Sequence, residues 1–278
     1  MQESPDTDRT MMDDDTPDAD RPVSGRPTRR WPEEIGLAVG FLTRLPWPGP
    51  LPRDRRLMDA AWAFPVAGVG IGLVAAIGWW LAGEFGLPAT VAAIVAVSAS
   101  ALVTGALHED GLADVADGLG GGRDSDAKRR IMRDSRIGSY GVLALVLVTA
   151  AKLAALAALP DAGTAVVALV AAHALGRAAI PGLAWWQPPA APDGSGRAAG
   201  RPDATGALWA AAIGSVLALA ILPGATGLAA AAAAAMAAIV VGWLARRQIG
   251  GVTGDVFGAA EQAAEVAVLL AVASCLGP

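Results

Sequence analysis

Long apolar runs without charge are the feature that most constrains this 278-residue chain. A helix that crosses the hydrocarbon core of a bilayer needs about 20 mostly apolar residues. Six windows reach this length with at most two charged or histidine side chains: 60–83, 85–107, 137–160, 162–186, 204–245 and 256–278. Their length, rather than their periodicity, favours helices over strands.

One window is too long for a single crossing. Residues 204–245 are uncharged over 42 positions, with Pro223 and Gly224 near the middle. Because Pro and Gly together favour a turn, we interpret this window as a helical hairpin. The Ala- and Gly-rich faces favour close helix packing in lipid. We therefore predict an all-α, polytopic membrane bundle of about six transmembrane helices in a lipid bilayer.

The composition excludes several other classes of protein. Hydrophobic residues make up 54% of the chain and charged residues 17%, against about 25% charged in an ordinary soluble domain. This is too much apolar surface for a disordered protein or a water-soluble globule. The net charge of −5 argues against nucleic acid as a partner. One cysteine and two histidines exclude zinc or iron–sulfur sites built from several Cys or His.

Lys and Arg are segregated along the chain. With the N-terminus inside, the inner segments 1–59, 108–136, 187–203 and 246–255 hold 9, 6, 2 and 2 of them, which is 19 of 21. Because cytoplasmic loops carry an excess of Lys and Arg, we predict a cytoplasmic N-terminus.

The N-terminal region differs from the rest of the chain. Residues 1–30 are rich in Asp, Arg, Pro and Thr without an apolar period, so we predict a disordered cytoplasmic tail. They lack the apolar segment of a signal peptide. Residues 33–45 are apolar but short, which is typical of an interfacial helix on the inner leaflet. We expect the membrane-embedded catalytic domain to span 31–278.

The largest inner loop carries three carboxylates on a helical spacing. Asp110, Asp114 and Asp117 are spaced i, i+4, i+7, so on a helix they share one face. Like charges at this spacing repel, and Gly111 and Gly118 lower the helix propensity. A bound cation would offset the repulsion, and Mg²⁺ or Mn²⁺ prefers such oxygen ligands together with phosphate. The alternative is a solvated acidic helix face.

A glycine run and a basic run follow. Gly120, Gly121 and Gly122 permit a tight turn or a close approach of backbone to a ligand, and a flexible linker is the alternative. Six cationic side chains come next: Arg123, Lys128, Arg129, Arg130, Arg133 and Arg136. Arginine matches phosphate oxygens bidentately, although part of this charge is expected from topology alone. Together these elements predict a site for a metal-bound pyrophosphate at the membrane surface.

A further acidic position lies just before the last window. Asp255 stands among four glycines of the segment 250–258. It could complete the metal site from across the bundle, and it could also cap the final helix. Glu261 and Glu265 follow one turn apart, and we expect both near the inner surface.

Three ionisable residues lie within the predicted spans: Lys152, His173 and Arg177. Such groups usually face a functional site or a partner, so a small-molecule transporter is a rival interpretation. Nearly all other chemistry-bearing residues lie toward the inner surface, which favours an enzyme.

Four separated motifs resemble one known family, the cobalamin synthases, also called adenosylcobinamide-GDP ribazoletransferases or cobalamin-5′-phosphate synthases. The resemblance lies in LHEDGLADVADGLGGG at 107–122, IMRDSRIGSYGVLAL at 131–145 and IGGVTGDVFGAA at 249–260. FLTRLPWPGP at 41–50 is similar to the family's opening segment. The similarity covers residues 33–278, which is all but the tail.

This resemblance implies an enzyme of vitamin B12 assembly in the bacterial cytoplasmic (inner) membrane, with its active site on the cytoplasmic face. It implies Mg²⁺-dependent joining of adenosylcobinamide-GDP to α-ribazole or its 5′-phosphate, with release of GMP. The product would be adenosylcobalamin or its phosphate. A homo-oligomer is left open.

The patterns and the resemblance together give the predicted site. The predicted ligands of Mg²⁺ or Mn²⁺ are Asp110, Asp114, Asp117 and Asp255. Asp117 and Asp255 are also predicted to be catalytic, with Asp255 either a further ligand or the base on the attacking hydroxyl. The predicted substrate-binding residues are His108, Arg130, Arg133, Asp134, Ser135, Arg136 and Tyr140.

The aspartate pattern is also similar to that of the CDP-alcohol phosphotransferases, which make phospholipids by the same kind of reaction. Their signature places Ala-Arg after the second Asp-Gly, whereas Val115 and Ala116 follow Asp114 here. A phospholipid synthase is therefore an alternative that differs in its substrate.

Overall fold

The computed structural model of this chain describes residues 31–49, 55–190 and 199–277. The predicted tail, 1–30, lies outside the described residues. Apart from one isolated bridge between Pro189 and Val252, the described part contains no β-structure, so the all-α prediction is confirmed. Its ten helices are α1 Trp31–Leu42, α2 Phe64–Glu84, α3 Ala89–Thr104, α4 Leu107–Gly121, α5 Ser125–Met132, α6 Ser139–Ala157, α7 Ala162–Trp186, α8 Ala204–Ile221, α9 Thr226–Ile249 and α10 Gly254–Leu276.

Six of these helices are long and apolar enough to cross a membrane, which confirms a polytopic bundle of about six transmembrane helices. They are α2 with the 3₁₀ segment Leu57–Ala63 that leads into it, α6, α7, α8, α9 and α10. The predicted hairpin in 204–245 is confirmed as α8 and α9. Gly224 takes a left-handed φ of +55° in the turn between them, a conformation that glycine adopts at little cost.

The window 85–107 departs from a simple span. Its helix α3 has only 16 residues and ends at Gly105, where φ is +67°. Ala106 is also left-handed, with φ +57°. Because an α-helix of L-residues does not continue through such positions, α4 leaves α3 at 91°. Counted as one broken span, the α3–α4 pair raises the number of crossings to seven, which is also the number that the six sequence windows give when 204–245 is counted as two helices.

Helix α7 lies at the centre of the bundle. Its apolar window is 78% buried within the protein, whereas the windows of α6 and α8 are 22% buried. The α2 backbone approaches α7 closely, since a Cβ on Gly72 would lie 2.7 Å from the Val170 Cα. Small residues allow such packing in lipid. Helix α10 packs against α4, α6, α7 and α9, so its first turn lies beside the acidic helix α4.

The helix predicted at 33–45 forms as α1 and ends earlier, at Leu42. The Thr43 hydroxyl donates a hydrogen bond to the Val39 carbonyl at 2.7 Å. Pro46 then disfavours helical backbone at the residue before it. Ala38 and Leu42 are fully buried, so one face of α1 packs against the bundle. Its place on the inner leaflet stays a prediction.

Candidate functional site

The three spaced carboxylates lie on a helix, α4, which covers Leu107–Gly121. Their exposure decreases along it: Asp110 is exposed, Asp114 is half-buried and Asp117 is buried. The other side of the helix, which includes Gly111, packs into the protein. An acidic stripe is therefore presented at one side of a helix that is otherwise anchored.

Helices α4 and α10 cross in direct backbone contact. A Cβ on Gly111 would lie 2.8 Å from the Asp255 carbonyl oxygen and 3.2 Å from the Gly258 Cα. A Cβ on Gly258 would in turn lie 3.2 Å from the His108 Cα. The two glycines thus let the helices approach closely, and the crossing brings Asp255 beside the acidic stripe.

The capping alternative for Asp255 is answered by its neighbour Thr253. The Thr253 hydroxyl oxygen accepts a hydrogen bond from the Val256 N–H at 3.3 Å, which is the N-cap contact of α10. The same hydroxyl donates to Asp255 Oδ2 at 3.2 Å. Asp255 therefore lies within the first turn, where a carboxylate also suits the helix dipole.

Burial and the charges of the neighbouring aspartates both act on the Asp114 carboxylate. Partial burial, together with the charges of Asp110, Asp255 and Asp117, raises its pKa from 3.8 to about 6. A carboxylate held among like charges resists ionisation, and a bound cation relieves that resistance. This environment is the electrostatic signature of the site.

Asp117 makes contacts that the other aspartates do not. Its two carboxylate oxygens accept hydrogen bonds from the Gly138 N–H at 2.7 Å and the Gly141 N–H at 2.8 Å. These donors belong to the N-terminus of α6, which Asp117 therefore caps from a neighbouring helix. Asp117 thus ties α4 to α6, whatever else its remaining lone pairs bind.

The oxygen atoms of the acidic stripe, together with those of Asp255, fit a hard divalent cation. Asp110, Asp114 and Asp255 offer only carboxylate oxygens, which Mg²⁺ and Mn²⁺ prefer, usually together with water and substrate phosphate. Their ligand atoms are not gathered as tightly as those of His173, Glu261 and Glu265, which all lie within 4.8 Å of one another. Substrate oxygens would then complete a coordination sphere that the protein alone leaves open.

One arginine of the basic run makes structural contacts with the backbone, whereas others lie near the site or in solvent. Arg129 Nη1 donates to the carbonyl oxygens of Ala190 and Ile249 at 3.1 and 3.0 Å, so it binds the end of α9. Arg133 lies close enough to Asp255 for its charge to act on that carboxylate. Arg130 is exposed at the end of α5. The structure thus brings Arg133 toward Asp255 and uses Arg129 elsewhere.

The second motif lies in the exposed connection into α6. The Arg136 guanidinium donates two hydrogen bonds to the Asp134 carboxylate, at 3.1 and 2.8 Å, and the Arg136 side chain is 87% exposed. Hydrogen bonds from the Arg136 side chain and backbone, with a smaller effect of its charge, lower the pKa of Asp134 to about 2. Ser135 and Tyr140 are exposed. A substrate phosphate would compete with Asp134 for the guanidinium.

The glycine run does not form a left-handed turn. Gly120 and Gly121 end α4, and Gly122 is extended with φ −83°. A Cβ on Gly120 would lie 2.8 Å from the Tyr140 ring. Close packing, rather than conformational freedom, is what these glycines supply at the end of the acidic helix.

A buried polar cluster was not predicted from the sequence. Glu261 and Glu265, expected near the inner surface, are 0% and 3% exposed inside the bundle. Their carboxylates contact the three ionisable residues of the spans. Those three residues are therefore paired with carboxylates rather than spaced along a translocation path. We call this set the interior cluster: Lys152 on α6, His173 and Arg177 on α7, and Glu261, Gln262 and Glu265 on α10.

One predicted substrate-binding residue lies beside this cluster. His108 is 3% exposed, and its Nδ1 lies 3.6 Å from Glu261 Oε2. The sequence carried a signal for the cluster, because His173 and Arg177, like Glu261 and Glu265, are one helical turn apart. Charges within spans require partners, and these two pairs were the available ones.

The chain matches the family described as cobalamin-5-phosphate synthase over residues 34–273. It is 44% identical to an adenosylcobinamide-GDP ribazoletransferase of Bradyrhizobium diazoefficiens, over 87% of this chain and 93% of the relative. It is 43% identical to one of Mesorhizobium japonicum, over 86% and 92%. It is also 44% identical to an adenosylcobinamide-GDP ribazoletransferase of Rhizobium etli, over 87% of this chain and 97% of the relative. No solved structure matches the chain.

Proposed function

Because the chain belongs to the cobalamin-5-phosphate synthase family, we propose that the acidic stripe of α4 and Asp255 form its active site. The chain is a multi-pass membrane enzyme of cobalamin biosynthesis. It joins adenosylcobinamide-GDP to a ribazole, as the names of its relatives state. The motifs that suggested this family in the sequence lie within the matched residues 34–273.

The glycine crossing of α4 and α10 is the observation that carries this assignment. Gly111 and Gly258 hold the two helices in backbone contact, and so bring Asp255 to Asp114. Carboxylates from two distant parts of the chain then share one site despite their repulsion. Such an arrangement is unfavourable for folding alone and is typical of a site that binds a cation.

We assign Mg²⁺ to this site, with Asp110, Asp114 and Asp255 as the residues that would hold it. When bound, Mg²⁺ neutralises charge on the pyrophosphate and supports phosphoryl transfer. Asp117 joins them only through oxygen lone pairs not used in capping α6. Arg133, and Arg136 once released from Asp134, would hold phosphate oxygens of adenosylcobinamide-GDP.

The reaction itself is the attack of a ribazole hydroxyl on the phosphorus that bears the corrinoid, with GMP as the leaving group. The new P–O bond forms as the bond to GMP breaks, and the hydroxyl proton must be accepted. If Asp110 and Asp114 alone hold the ion, Asp255 is our candidate acceptor of that proton, since it lies within the acidic site. The attacking hydroxyl belongs to α-ribazole or to α-ribazole 5′-phosphate.

We place the N-terminus and the active site on the cytoplasmic face of the bacterial inner membrane. The segregation of 19 of 21 Lys and Arg residues to one side supports this orientation. Both acidic elements begin or end in segments of that side. The nucleotide substrate would then reach the site from the cytoplasm.

The decisive experiment measures product formation by the purified protein in nanodiscs after removal of metal with EDTA. We expect GMP and a cobalamin product from adenosylcobinamide-GDP and α-ribazole only when Mg²⁺ or Mn²⁺ is restored. Asp255→Asn should lose this activity while it stays folded. Asp126→Asn is the control, because Asp126 lies in α5 and pairs with Arg129 at the surface.

Activity that persists in EDTA would overturn the metal assignment. Full activity of Asp255→Asn would instead remove Asp255 from the site and leave the reaction itself established.

A further inference from the structure

The interior cluster links three helices inside the bundle. None of its six residues is more than 3% exposed. Lys152 Nζ lies 2.7 Å from Glu265 Oε1 and donates to Gln262 Oε1 at 2.8 Å. The Gln262 amide in turn donates to Glu261 Oε2 at 3.0 Å. Charges that are buried in a membrane protein in this way are paired with one another.

Three side chains of the cluster could together ligate a metal ion, but the Arg177 guanidinium lies among them. The ligand atoms of His173, Glu261 and Glu265 all lie within 4.8 Å of one another. Arg177 Nη1 contacts all three: it donates to Glu261 Oε1 and, at 3.2 Å, to Glu265 Oε2, and it lies 2.7 Å from His173 Nδ1. Two cations therefore balance two carboxylates, and the cluster is an internal ion network.

One oxygen of this network faces the acidic helix. Glu261 Oε2 lies 3.6 Å from His108 Nδ1 on α4, so the carboxylate directly faces the imidazole. His108 is 3% exposed, and its Nδ1 has no hydrogen-bond partner among the described residues. Because an unpaired polar atom at this depth is unfavourable, the facing carboxylate is its natural partner.

This contact and the active site lie on the same two helices. His108 precedes Asp114 by six residues, and Glu261 follows Asp255 by six. The glycine crossing, Gly111 against Gly258, lies between the two pairs. Asp117 already ties the last turns of α4 to α6, and a contact at His108 would hold the first turn, so that the two contacts together fix the rotation of the helix.

We propose that His108 is a positioning residue, which holds the acidic stripe of α4 toward Asp255 through its contact with Glu261. The inference rests on the proposed active site and adds a role for a histidine that reaches no surface. His108 acts through the orientation of α4 and need not touch substrate. Arg177 and Gln262 fix the other end of the contact by holding Glu261.

The two buried histidines provide a matched comparison. His173 is 2% exposed and also faces a carboxylate, Glu265, at 3.1 Å, but it lies on α7. We expect His108→Leu to lower kcat and to weaken Mn²⁺ binding, measured by electron paramagnetic resonance, each by about tenfold or more. His173→Leu should lose similar thermal stability while kcat and Mn²⁺ affinity stay within about threefold of wild type.

A second pair of variants answers the case in which His108→Leu does not fold. His108→Asn keeps a donor near the Nδ1 position, whereas His108→Gln moves the donor one bond farther along the side chain. We expect His108→Asn to retain kcat and His108→Gln to lose it.

Equal activities of His108→Asn and His108→Gln would overturn the proposal, and so would equal losses in His108→Leu and His173→Leu. A wild-type protein that neither binds Mn²⁺ nor needs metal would refute the metal assignment alone. The kcat comparison between histidine variants would still decide the role of His108.

Discussion

Gly111 of α4 and Gly258 of α10 meet backbone to backbone, so that a Cβ on Gly111 would lie 3.2 Å from the Gly258 Cα. This contact sets the separation of α4 and α10, the two helices that carry the carboxylates of the acidic site. A helix pair separated by one extra methyl group would place Asp255 differently against Asp114.

Gly111→Ala should therefore impair catalysis strongly. The added Cβ would lie 2.8 Å from the Asp255 carbonyl oxygen, so the two helices would have to move apart. A displacement of about 1 Å at a reacting centre can lower the rate about a hundredfold. The measurement is kcat for GMP release in nanodiscs. Gly70→Ala is the control, since a Cβ there meets nothing within 4 Å. Unchanged kcat in Gly111→Ala would show that the crossing tolerates separation.

Asp114→Asn should abolish metal-dependent activity without loss of stability. The substitution removes a ligand and also removes like-charge repulsion from Asp110 and Asp255, so the melting temperature should stay the same or rise. Mn²⁺ binding and thermal unfolding are the two measurements. Asp124→Asn serves as the control, because Asp124 caps α5 through the Ala127 N–H and Asn caps equally well. Retained Mn²⁺ affinity in Asp114→Asn would remove this residue from the ligand set.

Metal binding should weaken in mild acid. The pKa of Asp114 is raised to about 6, and a carboxylate must lose its proton before it can bind a cation. Mn²⁺ affinity should accordingly be constant well above pH 6 and fall about tenfold for each pH unit below it. Titrations of Mn²⁺ between about pH 5 and pH 8, from one unit below to two units above the expected midpoint, test this. A flat profile across that range would contradict the shared environment of the aspartates.

Asp117 should matter for folding as well as for activity. Asp117→Ala leaves the Gly138 and Gly141 N–H groups without their acceptors, and each such loss destabilises by about 1–3 kcal/mol. Asp117→Asn keeps one acceptor oxygen and should lose less. Thermal unfolding in detergent separates the two variants. If both melt like wild type while activity is lost, the capping contact contributes nothing and Asp117 acts only at the site.

Arg136→Ala should raise KM for adenosylcobinamide-GDP about tenfold, because one bidentate phosphate contact is lost. Its stability should not change, since the side chain is 87% exposed and exposed ion pairs contribute little. Arg246→Ala, an exposed arginine on α9, is the control for general electrostatic attraction. A KM that rises equally in both variants would assign the effect to net charge.

The span pattern and the acidic helix were both predictable, because each depends on local spacing. The hairpin follows from Pro223-Gly224 within a long uncharged run, and the stripe follows from carboxylates at helical intervals. The bend between α3 and α4 was not predictable. It needs a left-handed conformation at Ala106, and alanine gives no sequence signal for that.

Long-range pairing was the second limit on prediction. Arg177 and Glu261 are 84 positions apart in the sequence, and a single sequence shows that each needs a partner without showing which. Asp117 illustrates the same limit, since its spacing groups it with the other aspartates while Gly138 and Gly141 determine where its oxygens point.

The interior cluster also bears on how the protein is assembled during synthesis. Lys152 and Arg177 enter the membrane on α6 and α7, whereas their carboxylate partners arrive on α10, which the ribosome makes later. Until α10 inserts, the two cations have no counter-charge from it, and lipid offers none at that depth. Insertion of α10 therefore neutralises the interior and brings Asp255 to α4 in a single event, so that maturation of the bundle and completion of the acidic site coincide.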